Sequence, residues 1–399
     1  MNAVSAVRRS GCTAFVCRAA EADISFLSSI FMREVLAIKQ QRQSFSVWIL
    51  VLLAAWMMAF SLILPEAAAA SALRALSLCA GSVIPSLAVF VIGAKILIKT
   101  GFCEMLAGTP VRQLCPHLGL SCAGLTAFLI GLVSGFPMGA VALSELVQRG
   151  AMTKEEAQRL MPYCNNAGPA FVIGTVGGAF LGSAGVGVLL FASQTAASVT
   201  ALLLTAGERK KYAGLTGPAA SVGARRPKSS AARIVSSSVA EGASALLCIC
   251  GFVVFFSVLS DSVLTLFSVL NWTPVTLFAV SLRGFLEISG GMAAVGAAGG
   301  IPLPAMYALS GAMLGFGGLS VWMQAADRAG AADIPVKGYL EGKLLCALLC
   351  AFFAVLLGAP PWDFPEGLAV VLPLFAGCLF AFAVRRIKNQ GFFKKRVEK

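Results

Sequence analysis

Long apolar runs recur along this chain and are continuous: Val47 to Leu64 shows none of the two-residue alternation of a barrel strand. About 20 apolar residues wound as a helix cross about 30 Å of hydrocarbon, and lipid admits only helices or closed barrels because it cannot satisfy exposed backbone groups. The pattern predicts spanning helices near 47–64, 75–98, 164–182, 186–206, 239–259, 303–323, 338–358 and 367–387. Two more apolar segments, 121–142 and 273–298, are interrupted by glycine-rich breaks, Ser134-Gly-Phe-Pro-Met-Gly139 and Ser289-Gly-Gly291. Thr153-Lys-Glu-Glu156 has the form of a capping box and predicts an amphipathic interfacial helix over 154–162.

The basic residues between these runs gather in three blocks. Residues 1–46 hold six Lys/Arg against three acids, 207–235 hold seven against one, and 385–399 hold seven against one. By the positive-inside rule all three blocks, and so both termini, lie in the cytoplasm. Eight full spans satisfy that condition only if each interrupted segment enters and leaves by one face. The outer loops so defined carry Glu66, Asp261, Asp363 and Glu366, with Arg74 the one nearby base. The predicted fold is an all-α polytopic membrane protein with about eight transmembrane helices plus two re-entrant segments.

An inverted repeat follows from the count. Helix 75–98, broken segment 121–142 and helices 164–182 and 186–206 match helix 239–259, broken segment 273–298 and helices 303–323 and 338–358 in order and kind. Secondary transporters use such repeats, with the solute held where the breaks meet. The organisation is a basic N-terminal segment (1–46), a first membrane half (47–206), a flexible linker (207–235), a second half (236–358), a terminal helix (359–387) and a basic tail (388–399). The first 31 residues lack the apolar core of a signal peptide, which makes Met32 an alternative start.

Composition narrows the function classes. The chain is 58% hydrophobic and only 12% charged, beyond what a soluble core needs. Its net charge of +13 would suit nucleic acid, but the basic residues flank membrane segments, so membrane lipid is the expected partner and nucleic acid is not. Twelve cysteines are scattered without a CxxC pair and His117 is the single histidine, so no metal site is predicted. With no Walker loop or nucleophile elbow, the chain reads as no enzyme and no cofactor is called for. A coupling ion and a homo-oligomer are left open.

Candidate chemistry sits at the breaks. In the first, Ser134, Gly135, Pro137 and Gly139 let the backbone leave helical geometry and turn amides and carbonyls into a cavity, where an anionic solute can bind. In Tyr163-Cys-Asn-Asn-Ala-Gly-Pro169, the adjacent amides Asn165 and Asn166, beside Gly168, are costly in lipid without partners; ligand binding and helix capping both account for them. In the second half, Arg283 and Glu287 stand four residues apart beside Ser289 and Gly290 and are expected to pair, as solute site or as structural glue. Gly317, Gly318, Ser320 and Gln324 complete the set; Ser320 and Gln324 share a helical face.

At these motifs the chain resembles the YlbJ family of sporulation integral membrane proteins, which carry the nucleoside-recognition (Gate) domain. The likeness covers roughly residues 45–390 and rests on Leu78-Cys-Ala-Gly-Ser-Val-Ile-Pro-Ser86, Leu132-Val-Ser-Gly-Phe-Pro-Met-Gly-Ala140, Cys164-Asn-Asn-Ala-Gly-Pro169, Leu286-Glu-Ile-Ser-Gly290 and Gly315-Phe-Gly-Gly-Leu-Ser320. The family often has a serine where Ala167 stands and a tyrosine where Phe136 stands. The resemblance implies an architecture similar to concentrative nucleoside transporters and passage of dipicolinic acid, a small planar dianion, across the outer forespore membrane. Carriage of nucleosides or another metabolite, and a non-transporting scaffold for spore-envelope assembly, are the competing expectations.

Overall fold

A computed structural model describes residues 47–107, 109–205, 230–270 and 276–358. The predicted span 367–387, the tail, the first 46 residues and most of the linker lie outside them. Two compact units divide the chain, Met1–Pro65 and Glu66–Lys399. The first contributes one described helix, α1 (Val47–Ile63), with Trp48, Leu52 and Leu62 exposed.

In the second unit a long helix, α2 (Pro65–Lys99), precedes three short helical pieces and then α3 (Cys122–Ser134) and α4 (Met138–Gln148). After α5 (Lys154–Cys164) come α6 (Ala170–Phe180), wound with wide π-type turns, and α7 (Ala184–Thr205). A second series follows: α8 (Ala231–Val269), α9 (Thr276–Leu286), α10 (Ile288–Ala297), α11 (Leu303–Phe316), α12 (Gly318–Gly330) and α13 (Tyr339–Gly358). Among the described residues no strand occurs, and five helical stretches are long and apolar enough to cross a membrane: Pro65–Lys99, Ala184–Thr205, Ala231–Val269, Leu303–Gly330 and Tyr339–Gly358. Exposed Leu73, Val89, Val188 and Leu247 on them would be ruinous in water and suit lipid.

The two series match in order: long helix, hairpin, broken helix, long helix. They also run in opposite senses. Ser71 and Arg74, early in α2, bond Asp261, late in α8, whereas Lys95 and Lys99, late in α2, bond Glu241, early in α8, so this pair is antiparallel. Each hairpin is anchored at a different end: Arg149 beyond α4 donates to the Ile98 carbonyl of α2, while Phe278 of α9 packs on Phe267 of α8.

The interrupted segments 121–142 and 273–298 fold back on themselves. Gly131 and Gly139 face each other across the first hairpin with the Cys164 carbonyl wedged between them, and Gly284 and Gly291 touch across the second. A side chain at any of these positions would drive the arms apart.

Several expected boundaries shift. The helix predicted at 75–98 starts at Pro65; within it Pro85 offers no amide, and the backbone widens over Cys79–Val83, where the Ile84 amide reaches back to Cys79 O. The helix predicted at 239–259 runs from Ala231, inside the expected linker, to Val269, so Asp261 is helical rather than in a loop. Spans 164–182 and 303–323 are not continuous: each belongs to a broken helix, α5–α6 and α11–α12. The expected interfacial helix 154–162 is instead the first half of α5–α6. Thr153 does cap it, accepting from the Glu156 amide at 3.2 Å, but Ala157, Leu160 and Met161 are buried. Part of its polar face is covered too, because Glu156 accepts from the Ser121 amide at 3.1 Å and Arg159 donates to Gly119 O at 2.7 Å, while Lys154 and Glu155 stay exposed.

Gly131→Ala is expected to destabilise the purified protein by more than about 2 kcal/mol, since the new methyl meets the Cys164 carbonyl, a backbone atom that cannot yield. Gly251→Ala, where nothing lies within 4 Å, should melt no lower than wild type; equal melting of both variants would show that the hairpin arms are not in this close contact.

Candidate functional site

The breaks meet in pairs. In the first series the hairpin turns over Gly135 (φ +79°) to Pro137, with a cis Phe136–Pro137 peptide, and presses on the gap between α5 and α6. A Cβ on Gly135 would stand 2.8 Å from the Gly168 amide nitrogen. In the second series the gap between α11 and α12, held by Gly317 (φ 86°) and Gly318 (φ 88°), meets the tip of the other hairpin: a Cβ on Gly318 would lie 3.3 Å from Leu286 O and Ile288 N. Such backbone stays buried only if its polar atoms find partners.

Asn165 and Asn166 are buried and most of their capacity is used. Asn166 Nδ2 donates to Tyr163 O at 2.6 Å while its Oδ1 accepts from Ser198 Oγ at 2.9 Å. Asn165 Nδ2 donates to Tyr339 Oη at 2.9 Å, and its Oδ1 has no partner. Gln194 of α7 acts as a side-chain substitute for a strand of backbone, accepting from Ala167 N at 3.2 Å and donating to Ala167 O at 2.8 Å. Lys343 of α13, 1% exposed, donates to Asn165 O at 2.8 Å. The capping alternative therefore describes Asn166, whereas Asn165 keeps an oxygen free.

Glu287 stands in extended backbone between α9 and α10 and is buried. Its carboxylate accepts from the Ser289 amide at 2.8 Å and the Gly290 amide at 2.7 Å, so the positive end of α10 is already neutralised by the chain itself. Met138 opens α4 at the other hairpin without any side-chain cap. Ser320 and Gln324 do share a face and bond at 3.2 Å, leaving Gln324 Oε1 unpartnered.

The expected Arg283–Glu287 pair does not form. The chain bends sharply at Glu287, which destroys the helical four-residue spacing, and Arg283 turns to Asp261 of α8 at 2.9 and 3.2 Å. Arg74 donates to the other oxygen of Asp261 at 2.8 Å, and Ser71 joins it at 2.7 Å. At the opposite end of the α2–α8 pair, Lys95 bridges Glu145 of α4 at 3.0 Å and Glu241 of α8 at 3.2 Å. Each hairpin is thus latched to the long-helix pair by its own ion cluster.

A narrow cleft opens beside the Lys95 cluster, between α2, α4, α8 and α12. Pro137, Val141, Ile249 and Phe252 line it, and Lys95, Gln324, Asp327 and Arg328 supply polarity. Of the expected residues, Pro137 and Gln324 come together here, while Gly139 packs on the Cys164 carbonyl and Ser320 bonds Gln324; Arg283, Ser289 and Gly290 lie with the other hairpin tip and Asn165, Asn166 and Gly168 in the α5–α6 gap. Sequence reasoning missed Gln194, Tyr339, Lys343 and Lys95. The signal available for Gln194 and Lys343 was a large polar side chain within a long apolar run, Ala184–Thr205 and Tyr339–Gly358.

The sporulation integral membrane protein YlbJ of Bacillus subtilis (strain 168) is 27% identical to this chain over 325 residues, covering 74% of the chain and 79% of the relative. The chain is similar to this integral membrane protein over most of both sequences. No protein-family model matches it, and no solved structure does. Its apolar helices and its similarity to an integral membrane protein mark it as a multi-pass membrane protein.

A double-mutant cycle on Asp261→Asn and Arg283→Gln should be non-additive in melting free energy by roughly 0.5–3 kcal/mol, because each single change strands the other charge. The cycle pairing Arg283→Gln with Glu287→Gln should be additive within about 0.5 kcal/mol. The reverse pattern would restore the pair expected from the sequence.

Proposed function

We propose that this protein is a carrier that moves a small polar anion, dipicolinate in the sporulation setting of its family, across the membrane, with the basic linker on the cytoplasmic side. The observation that carries the reading is the difference between the two hairpin tips. The N-terminal end of α10 is closed by Glu287, whereas that of α4 is uncapped and Pro137 at that end lines the cleft. A helix N-terminus presents free amides and partial positive charge, which suits a carboxylate.

The cleft supplies the rest. Lys95 is held by two carboxylates and can exchange one of them for a solute carboxylate, and Arg328 offers a fork donor beside it. Gln324 presents one end of its amide; the Ser320 hydroxyl both donates and accepts, so the amide can turn to offer its NH2. Phe252 and Ile249 give a flat ring an apolar wall. A solute there lies against the hairpin tip where breaks of the first series meet, and latches at both ends of α2–α8 provide the parts that an alternating carrier opens in turn.

Proteoliposomes containing the full chain should take up dipicolinate saturably, with no competition from uridine. Gln324→Leu should lower uptake per folded molecule about 5- to 10-fold, the loss of one hydrogen bond, without changing the melting temperature. Uridine uptake without dipicolinate uptake would replace the anion by a nucleoside, and absence of both would favour a scaffold.

A further inference from the structure

Two half-helices end at one buried lysine. α5 stops at Cys164 and α11 at Phe316, and each delivers the carbonyl-rich, partially negative end of a helix to the gap that follows. These gaps are equivalent in the two series, and Lys343 of α13 lies between them. Its Nζ donates to Asn165 O at 2.8 Å, and a Cβ on Gly317 would stand 3.7 Å from its Cε. The side chain is 1% exposed, and among the described residues no carboxylate pairs with it. Asn165 Oδ1, on the residue whose carbonyl accepts from Lys343, is buried and unpartnered.

A buried ammonium with no counter-carboxylate is costly unless the surrounding dipoles stabilise positive charge. Here the Asn165 carbonyl accepts from it at 2.8 Å, and the ends of α5 and α11 flank it. Oxygen atoms gathered at the C-terminal ends of broken helices are the ligands that bind a coupling cation in carriers of this architecture. We propose that the meeting point of the α5 and α11 ends is a monovalent-cation site filled by the chain's own Lys343 ammonium, which stands in the place of a sodium ion. The site therefore takes up no sodium while the lysine is present. Its consequence for ion coupling rests on the transport reading; its occupancy does not.

The test is the melting temperature of the full chain in detergent, in matched concentrations of sodium chloride and choline chloride. Wild type should melt identically in both. Lys343→Ala, which removes the charge and opens its space, should melt lower in choline and recover by at least about 2 °C, saturably, as sodium is added. Lys343→Met fills the space without charge and should melt lower in both salts. The inference is overturned if sodium alone raises the wild-type melting temperature, if Lys343→Met melts like wild type, or if Lys343→Ala is indifferent to sodium, folded or not. No transported solute enters these measurements, so failure of uptake and failure of this assignment are told apart.

Discussion

A helix that breaks inside an apolar interior releases amides and carbonyls that neither lipid nor packing can satisfy, and this structure is organised around that constraint. Hairpin α3–α4 and gap α5–α6 close on each other through Gly135 and Gly168, and hairpin α9–α10 closes on gap α11–α12 through Gly318. Only hydrogen at Cα permits the approach. Side chains then take up what remains: Gln194 bonds both polar atoms of Ala167, Lys343 takes Asn165 O, and Glu287 takes two amides of α10.

The two series share an architecture but divide charge between them. In the α2–α8 pair, α2 supplies the cations Arg74, Lys95 and Lys99 and α8 the anions Glu241 and Asp261. The hairpins complement this, with Glu145 on Lys95 and Arg283 on Asp261. Because each long helix binds a different hairpin at a different end, movement of one hairpin need not disturb the other latch. The proposed carrier would use that independence, and the two halves differ at their tips: one helix end is capped by Glu287, and the other has no side-chain cap.

Much of this was legible in the sequence. Continuous apolar runs announced membrane helices because a lipid solvent permits little else, and Gly135-Phe-Pro137 announced a hairpin turn; the second break, expected at Ser289-Gly-Gly291, falls instead at Glu287, and those three residues are helical in α10. The matching order of elements was readable from the same pattern. The breaks at Asn165–Pro169 and Gly317 were read as polar motifs within continuous spans, since hydropathy averages over a gap of a few residues and does not register it.

Which polar groups meet could not be read from the chain alone. Spacing placed Arg283 and Glu287 on one helical face, but that geometry holds only while the helix continues, and the bend at Glu287 sent Arg283 to an acid 22 residues away. Lys343 lies 178 residues from the carbonyl that receives it, and nothing in its own helix points to that partner. Sequence by itself determined that this chain inhabits a bilayer, as a twofold series of helices with glycine breaks, because solvent and local backbone chemistry dictate those features residue by residue. Tertiary structure alone decided the partners of each buried charge, because in a low-dielectric interior a charge binds whatever compensating group packing brings within reach.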